Sequence, residues 1–172
     1  MDVQEGIVER LDNTAEYLAR IRETVKAARD AGNIIIYIVV GFREGFPEVS
    51  PNNRSFNALK QSGQDHLIDP NPSIDLTAGD IVVRKHRVSA FSGSDLNMIL
   101  RANGITHLVL SGIATSGVVL STVVEAADKD YQLTVLSDLC SDFDDDVHDV
   151  LMSKYFPKRG DVITSQEWLK LS

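Results

Sequence analysis

The sequence predicts an α/β fold, a mostly parallel sheet covered by helices on both faces. Three observations carry that expectation. The segment Asn33-Ile-Ile-Ile-Tyr-Ile-Val-Val40 is a continuous β-branched run without polar alternation, the pattern of a strand buried on both faces. An amphipathic helical pattern leads directly into it. After Gly79, strand-like and helix-like segments alternate to the end of the chain, which specifies parallel strands joined by right-handed crossovers.

Taken in order, the first element is a helix in which Leu18, Ile21, Val25 and Ala28 recur at helical spacing, between the capping pair Asp12-Asn13 and Gly32. The β-branched strand follows. From Gly41 to Gly79 the pattern breaks down, with Pro47, Pro51, Pro70 and Pro72 among Asn, Ser and Gly, so this is a long excursion with at most a short helix at 56–61. Excursions of that length tend to be functional. Regularity resumes with a strand at 80–84, a helix at 94–103 built on Leu96, Ile99 and Leu100 and closed by Gly104, and a strand at 107–111. A helix at 116–129 and a strand at 132–136 come next. A helix after the acidic residues 142–146 carries Val147, Val150 and Leu151 on one face, and a short strand at 161–164 and a helical turn around Trp168 end the chain.

The 172 residues suit one domain with its own core, 1–172, and the 43% apolar and 24% charged content excludes wholesale disorder. A formal charge of -8 repels a nucleic-acid duplex, and Arg84-Lys85-His86-Arg87 is too short to make a basic stripe. The single cysteine, Cys140, cannot form an internal disulfide and no Cys/His zinc spacing is present, so a reducing cytoplasm is the expected compartment. The longest apolar stretch, 34–40, is far short of a membrane span, and Met1-Asp2-Val3-Gln4-Glu5 has neither the basic nor the apolar region of an export signal.

Ligands of parallel sheets sit at the carboxyl ends of the strands, which directs the search to residues 1–6, 41–47, 84–91, 111–118 and 137–142. Three of these segments carry chemistry: Asp2, Lys85 and the loop Gly112-Ile113-Ala114-Thr115-Ser116-Gly117-Val118. The loop leads into a helix N-terminus whose free N–H groups suit an anion or a developing oxyanion, and Gly112 and Gly117 allow close backbone approach. Singly, each feature is also what a capped helix and two solvated charges would show.

In combination the segments Asp2-Val-Gln-Glu-Gly6, Lys85-His-Arg-Val-Ser-Ala-Phe91, Leu108-Val-Leu-Ser-Gly-Ile-Ala-Thr-Ser-Gly-Val-Val-Leu-Ser-Thr122, Ala126-Ala-Asp-Lys-Asp-Tyr131 and Val135-Leu-Ser-Asp138 resemble the isochorismatase-like hydrolase superfamily. The resemblance spans residues 1–165. It implies a three-layer α/β/α, Rossmann-like fold around a six-stranded, mostly parallel sheet of order 3-2-1-4-5-6. It also implies an Asp at the end of the first strand, a Lys after the third and a nucleophilic Cys on the helix after the fourth. In the family motif Gly-x-x-Thr-x-x-Cys, Gly112 and Thr115 match and the cysteine position falls on Val118. A valine forms no thiolate and carries no acyl group, so the amidase mechanism of the cysteine members is not expected. Cys140 falls in the segment after the next strand and reads as a small buried thiol, with nothing to place it beside Lys85.

A second departure concerns Asp2, which has only Met1 before it where family members have a complete apolar first strand. Two readings stand. Either the natural start lies upstream, or the centre of the sheet is a slot with unpaired backbone on both sides, leaving Asp2 less rigidly held and close to the α-amino group.

Two functions follow from the resemblance. In the first, the protein is a small-molecule hydrolase of the isochorismatase type: Asp2 protonates the carbon of an enol ether, water completes the cleavage, and no covalent intermediate forms. The amides of Ala114 and Val118 match the family's oxyanion-hole positions, and Ile113-Ala114 is where relatives have a non-prolyl cis peptide. Phe42, Phe46 and Phe91 are candidate apolar walls. In the second, the protein is a catalytically inactive relative that binds a small molecule or serves as an assembly subunit. Neither needs a cofactor. No metal is expected, because the zinc-binding pattern of the nicotinamidase branch is absent and His66 stands alone in its region, while His86, His107 and His148 read as surface, strand and helix residues. The partners expected are a small molecule and further copies of the chain in a dimer or tetramer, with no nucleic acid or membrane. The wide apolar stripe Val118, Val119, Val123, Val124 is the residue-level support for self-association. The acidic cluster lacks the spacing of a calcium loop and reads as a negatively charged helix start.

Overall fold

The computed structural model describes residues 1–63 and 65–171. Helix α1 (Thr14–Asp30) buries Tyr17, Ile21, Thr24 and Ala28, a stripe stepping by three and four along the helix. Leu18 and Val25, expected on that face, flank it and are half-buried. After the turn at Gly32 the chain enters β1 (Ile36–Val40), which pairs in parallel with β2 (Ile81–Lys85) from Ile36 opposite Ile81 to Val40 opposite Lys85. The excursion between them contains α2 (Arg54–Gln61), capped by the Asn53 side chain, which accepts from the Phe56 amide at 3.2 Å.

Helix α3 (Leu96–Ala102) leads to β3 (His107–Ile113), which pairs in parallel with β4 (Gln132–Ser141). Strand β4 in turn pairs with β5 (Asp161–Ile163). Between β3 and β4 run a single π-helical turn at Thr115–Val119 and α4 (Leu120–Ala127). Helix α5 (Asp145–Val150) starts on an Asp144 side chain that accepts from the Val147 amide at 3.1 Å, and α6 (Ser165–Leu169) opens with a capping box between Thr164 and Glu167. Helices lie against both faces. Leu96, Leu100, Val123 and Ala126 share one apolar cluster with Ile38, Leu108 and Leu133, while Tyr17, Ile21 and Trp168 share another with Tyr37, Ile113 and Leu136.

The parallel α/β architecture agrees with the sequence expectation, and the six-stranded continuous sheet does not. Among the described residues, five strands form two sheets, β1-β2 and β3-β4-β5. The reason lies at residues 1–4. The Met1 amino group donates to the Ser111 carbonyl at 2.8 Å, the Ile113 amide donates to the Met1 carbonyl at 3.2 Å, and the Asp2 amide donates to the Ile38 carbonyl at 2.8 Å. This is the bonding of a parallel strand set between β1 and β3, but it lasts two residues. Asp2, at φ 54°, turns the chain away, and Gln4 continues the ladder with its side chain. Its Nε2 donates to the Val40 carbonyl at 3.0 Å and its Oε1 accepts from the Val40 amide at 2.8 Å. Asp2 is thereby pinned to the sheet rather than loosely held.

Three smaller differences affect the site. Strand β4 runs five residues beyond the expected 136, with a register shift opposite Leu110 and Gly112, so Cys140 lies in a strand opposite Gly112 and not in a loop. Val118, Val119 and Val123 are buried in the chain's own core, which accounts for the width of that stripe without a second subunit. On α5 Val147 and Val150 are exposed, and Leu151, in the turn that follows, is buried, so the expected apolar face is only partly used.

Candidate active site

Strand β2 alternates, with Val83 and Lys85 turned inward, and the alternation carries a lysine into the interior at the carboxyl end of the strand. Lys85 is 1% exposed. Its Nζ lies 2.9 Å from Asp2 Oδ2 and donates to the Arg87 carbonyl at 3.0 Å. A buried ammonium needs such partners, since removing it from water costs several kcal/mol that only close oxygens offset. Asp2 is also buried, and its Oδ1 has no hydrogen-bond partner among the described residues. Burial raises the Asp2 pKa above the ordinary carboxylate value, against the opposing pull of the Lys85 charge and hydrogen bond. The neighbouring α-amino group of Met1 is shifted the other way: burial lowers its pKa, with Asp2 and the Cys140 side opposing and Lys85 reinforcing.

The Gly112–Val118 loop closes over the same end of the sheet. The Ile113-Ala114 peptide bond is cis, at the position where the sequence comparison placed it. Gly112 adopts φ 148°, and a Cβ there would stand 2.1 Å from the Met1 carbonyl oxygen, so only glycine lets the residue before Asp2 enter the sheet. In the π turn the Ala114 carbonyl accepts from the Gly117 and Val119 amides at 3.1 and 3.3 Å. The fully buried Thr115 hydroxyl meets His148 Nδ1 at 2.8 Å, and the Ser116 amide donates to the Asp142 carboxylate at 2.5 Å.

The structure therefore brings Asp2 and Lys85 into contact, and Met1 links Asp2 to Gly112. Val118 is 2% exposed and belongs to the apolar cluster that includes Ala90 and Phe91. The three phenylalanines separate. Phe42 and Phe46, 5.3 Å apart, pack with Phe56, Val40 and Leu67, whereas Phe91 stacks on Tyr131 at 6.1 Å in the other cluster, so they do not form one wall. Cys140 is buried and its thiol pushed up to about 12, with burial the main cause, so it is a packed apolar group and no nucleophile. A cavity of about 390 Å³ lies below Met1 between β1 and β3, and neither Asp2 nor Lys85 lines it.

Sequence reasoning overlooked three contributors. Gln4 carries no periodicity signal and stands out only as an amide two residues from the candidate acid. His148 reads in the sequence as an ordinary helix residue, and the threonine that fixes it lies 33 residues away. The Met1 amino group became a sheet donor only because the chain enters between two strands.

The chain matches the isochorismatase domain over residues 1–167. It is 31% identical to the isochorismatase family protein YwoC of Bacillus subtilis (strain 168) over 174 aligned residues, 99% of this chain and 90% of that protein. It is 37% identical to the ureidoacrylate amidohydrolase RutB of Stutzerimonas stutzeri over 147 residues, 73% of this chain, and spans only 57% of that enzyme's length. Among solved structures, an isochorismatase family protein from Burkholderia thailandensis superposes with a TM-score of 0.80 at 28% identity, covering 99% of this chain and 93% of that one.

Proposed function

The chain belongs to the isochorismatase family, and from that premise we propose that it hydrolyses a small molecule with Asp2 as general acid and without a covalent cysteine intermediate. The observation that carries this reading is the buried Asp2–Lys85 pair, with the Asp2 pKa raised by burial and Oδ1 unengaged. An acid catalyst needs that shift, since its proton must be retained at working pH. In the step proposed, the Asp2 carboxyl gives its proton to the enol-ether carbon and leaves an oxocarbenium ion. Water adds to the cation, and the hemiketal collapses to a ketone and an alcohol, with the proton released on water addition restoring the carboxyl. The Lys85 ammonium stabilises the carboxylate formed at the first step, and the amides of Ala114 and Val118 would face developing negative charge in an acyl-type substrate. The departure from the family's nucleophile rests on the Gly112-x-x-Thr115 motif, which aligns Val118 with the cysteine.

A second reading, a catalytically inactive relative that binds a ligand or supports an assembly, is favoured by the closed state of the pair, Asp2 at 6% and Lys85 at 1% exposure. A mixed substrate panel separates the two: vinyl ethers of the isochorismate type, N-carbamoyl and ureido amides, and nicotinamide, each with the parent protein and with Asp2→Asn. Turnover of vinyl ethers that vanishes in Asp2→Asn is the expected result. A flat panel transfers the case to the inactive reading, and amide turnover defeats the acid mechanism.

A further inference from the structure

The loop at Gly112–Val118 offers main-chain groups, and such groups stay in place only where a regular helix or side chains hold them. A regular helix does not hold these. In the π turn the Ala114 carbonyl takes both the Gly117 and the Val119 amides, at 3.1 and 3.3 Å, so the turn lacks the one-to-one ladder of an α-helix. Two side chains from the far end of β4 hold it instead. The Ser116 amide donates to Asp142 Oδ2 at 2.5 Å, and the neighbouring Thr115 hydroxyl meets His148 Nδ1 at 2.8 Å. Both partners come from the segment that runs out of β4 into α5, and that segment is itself fixed. Asp142 Oδ1 accepts from the Phe143 amide at 2.8 Å, the Asp144 side chain caps α5 at Val147, and the Asp144 carbonyl accepts from the His148 amide at 3.0 Å.

The position of one hydrogen follows from burial. Thr115 is fully buried, and among the described residues His148 Nδ1 is the one partner of its hydroxyl. A buried O–H without an acceptor is costly, so the hydroxyl donates and Nδ1 accepts. A ring nitrogen that accepts carries no hydrogen, which puts the ring hydrogen on Nε2. The pair has the spacing of a nucleophile and its base, but a fully buried hydroxyl meets no acyl carbon, and what remains open to it is to hold the turn. His148 is half-buried, whereas Val118 and Val119 of the same turn are buried in the core, so the ring contributes its hydrogen bond more than its packing.

We propose that His148 is a positioning residue of the candidate site. Held as the Nε2–H tautomer, it accepts the Thr115 hydroxyl hydrogen and, with Asp142 on the next amide, fixes the turn that carries the Ala114 and Val118 amides. The inference about the turn stands on hydrogen bonds alone, and its bearing on turnover rests on the reading that this loop faces the substrate.

The test compares the parent with His148→Leu, His148→Asn and Thr115→Val. Asparagine is the informative replacement, because its Oδ1 is attached to Cγ as Nδ1 is and can accept the same hydrogen, while leucine cannot. In the parent at mildly alkaline pH, the ring nitrogen spectrum of His148 should show hydrogen on Nε2 and none on Nδ1, and Thr115→Val should turn this into a mixture of tautomers. Hydrogen exchange at the Gly117 and Val119 amides should quicken at least about tenfold in His148→Leu, with most of the protection restored in His148→Asn. On any substrate the parent turns over, kcat should fall at least about tenfold in His148→Leu and recover in His148→Asn. Hydrogen on Nδ1 in the parent, or equal exchange in the leucine and asparagine proteins, overturns the proposal. An unchanged kcat in His148→Leu overturns its bearing on the site. If the parent turns over nothing, the hydrolase reading fails, and the spectrum and the exchange still decide the role of His148. The parent and Thr115→Val spectra decide it if His148→Leu does not fold.

Discussion

Gly112 shows how one residue controls this site. Its φ of 148° and the 2.1 Å approach of the Met1 carbonyl to its absent Cβ mean that any side chain displaces the backbone that carries Asp2. Gly112→Ala is expected to cost at least ~2 kcal/mol in urea unfolding, since both clash and backbone strain act, and to abolish any activity that depends on Asp2. At Asp2 itself the pH dependence has a definite sign. The folded-state pKa lies above the ordinary 3.8 because burial outweighs Lys85, so the folded protein holds this proton more tightly than the unfolded chain. The resulting contribution to stability is complete below 3.8 and is lost as pH rises through the raised value. Acid catalysis follows the same limb: kcat/KM on a vinyl ether should fall as pH rises through the raised Asp2 pKa, and a profile flat across the acidic and neutral range would remove Asp2 from the acid role.

Among the elements, the amino-terminal segment does the most with the least. Its two residues of strand and one side-chain surrogate, Gln4, satisfy the carboxyl end of β1. Gln4→Leu keeps the volume and leaves the Val40 N–H and C=O without partners, at a cost of about 3 kcal/mol. Gln4→Glu, retaining one acceptor, should recover part of the loss in the same thermal or denaturant titration. Equal stability of all three proteins would mean that the Gln4–Val40 pair bears no weight. The π turn at Thr115–Val119 is the other decisive element, because it sets the Thr115 hydroxyl on His148 and turns Val118 into the core.

For the whole molecule, the division into β1-β2 and β3-β4-β5 implies unequal stability. A two-stranded sheet with one edge facing a cavity has fewer main-chain bonds per residue than a three-stranded one. Native-state hydrogen exchange should therefore find β3 and β4 amides protected to a higher opening free energy than those of β1 and β2. Uniform protection across both sheets would show that packing through α3 and α4 couples them into one unit.

Local chemistry and periodicity sufficed for the order of elements, because β-branched runs, helical apolar spacing and Gly or Pro breaks act over a few neighbouring residues. That Asp2, Lys85 and the Gly112–Val118 loop come to one end of the sheet was likewise legible, since the order of the motifs and the carboxyl-end rule for parallel sheets work on sequence alone. The tertiary structure decided what depends on distant partners: that Lys85 faces Asp2 across 83 positions at 2.9 Å, that Thr115 meets His148, that Phe91 parts from Phe42 and Phe46, and that β4 extends through Cys140. It also decided that the sheet is split. A strand is recognisable from its own residues, but whether its edges find partners depends on which other strands lie beside it, and only the assembled chain contains that information.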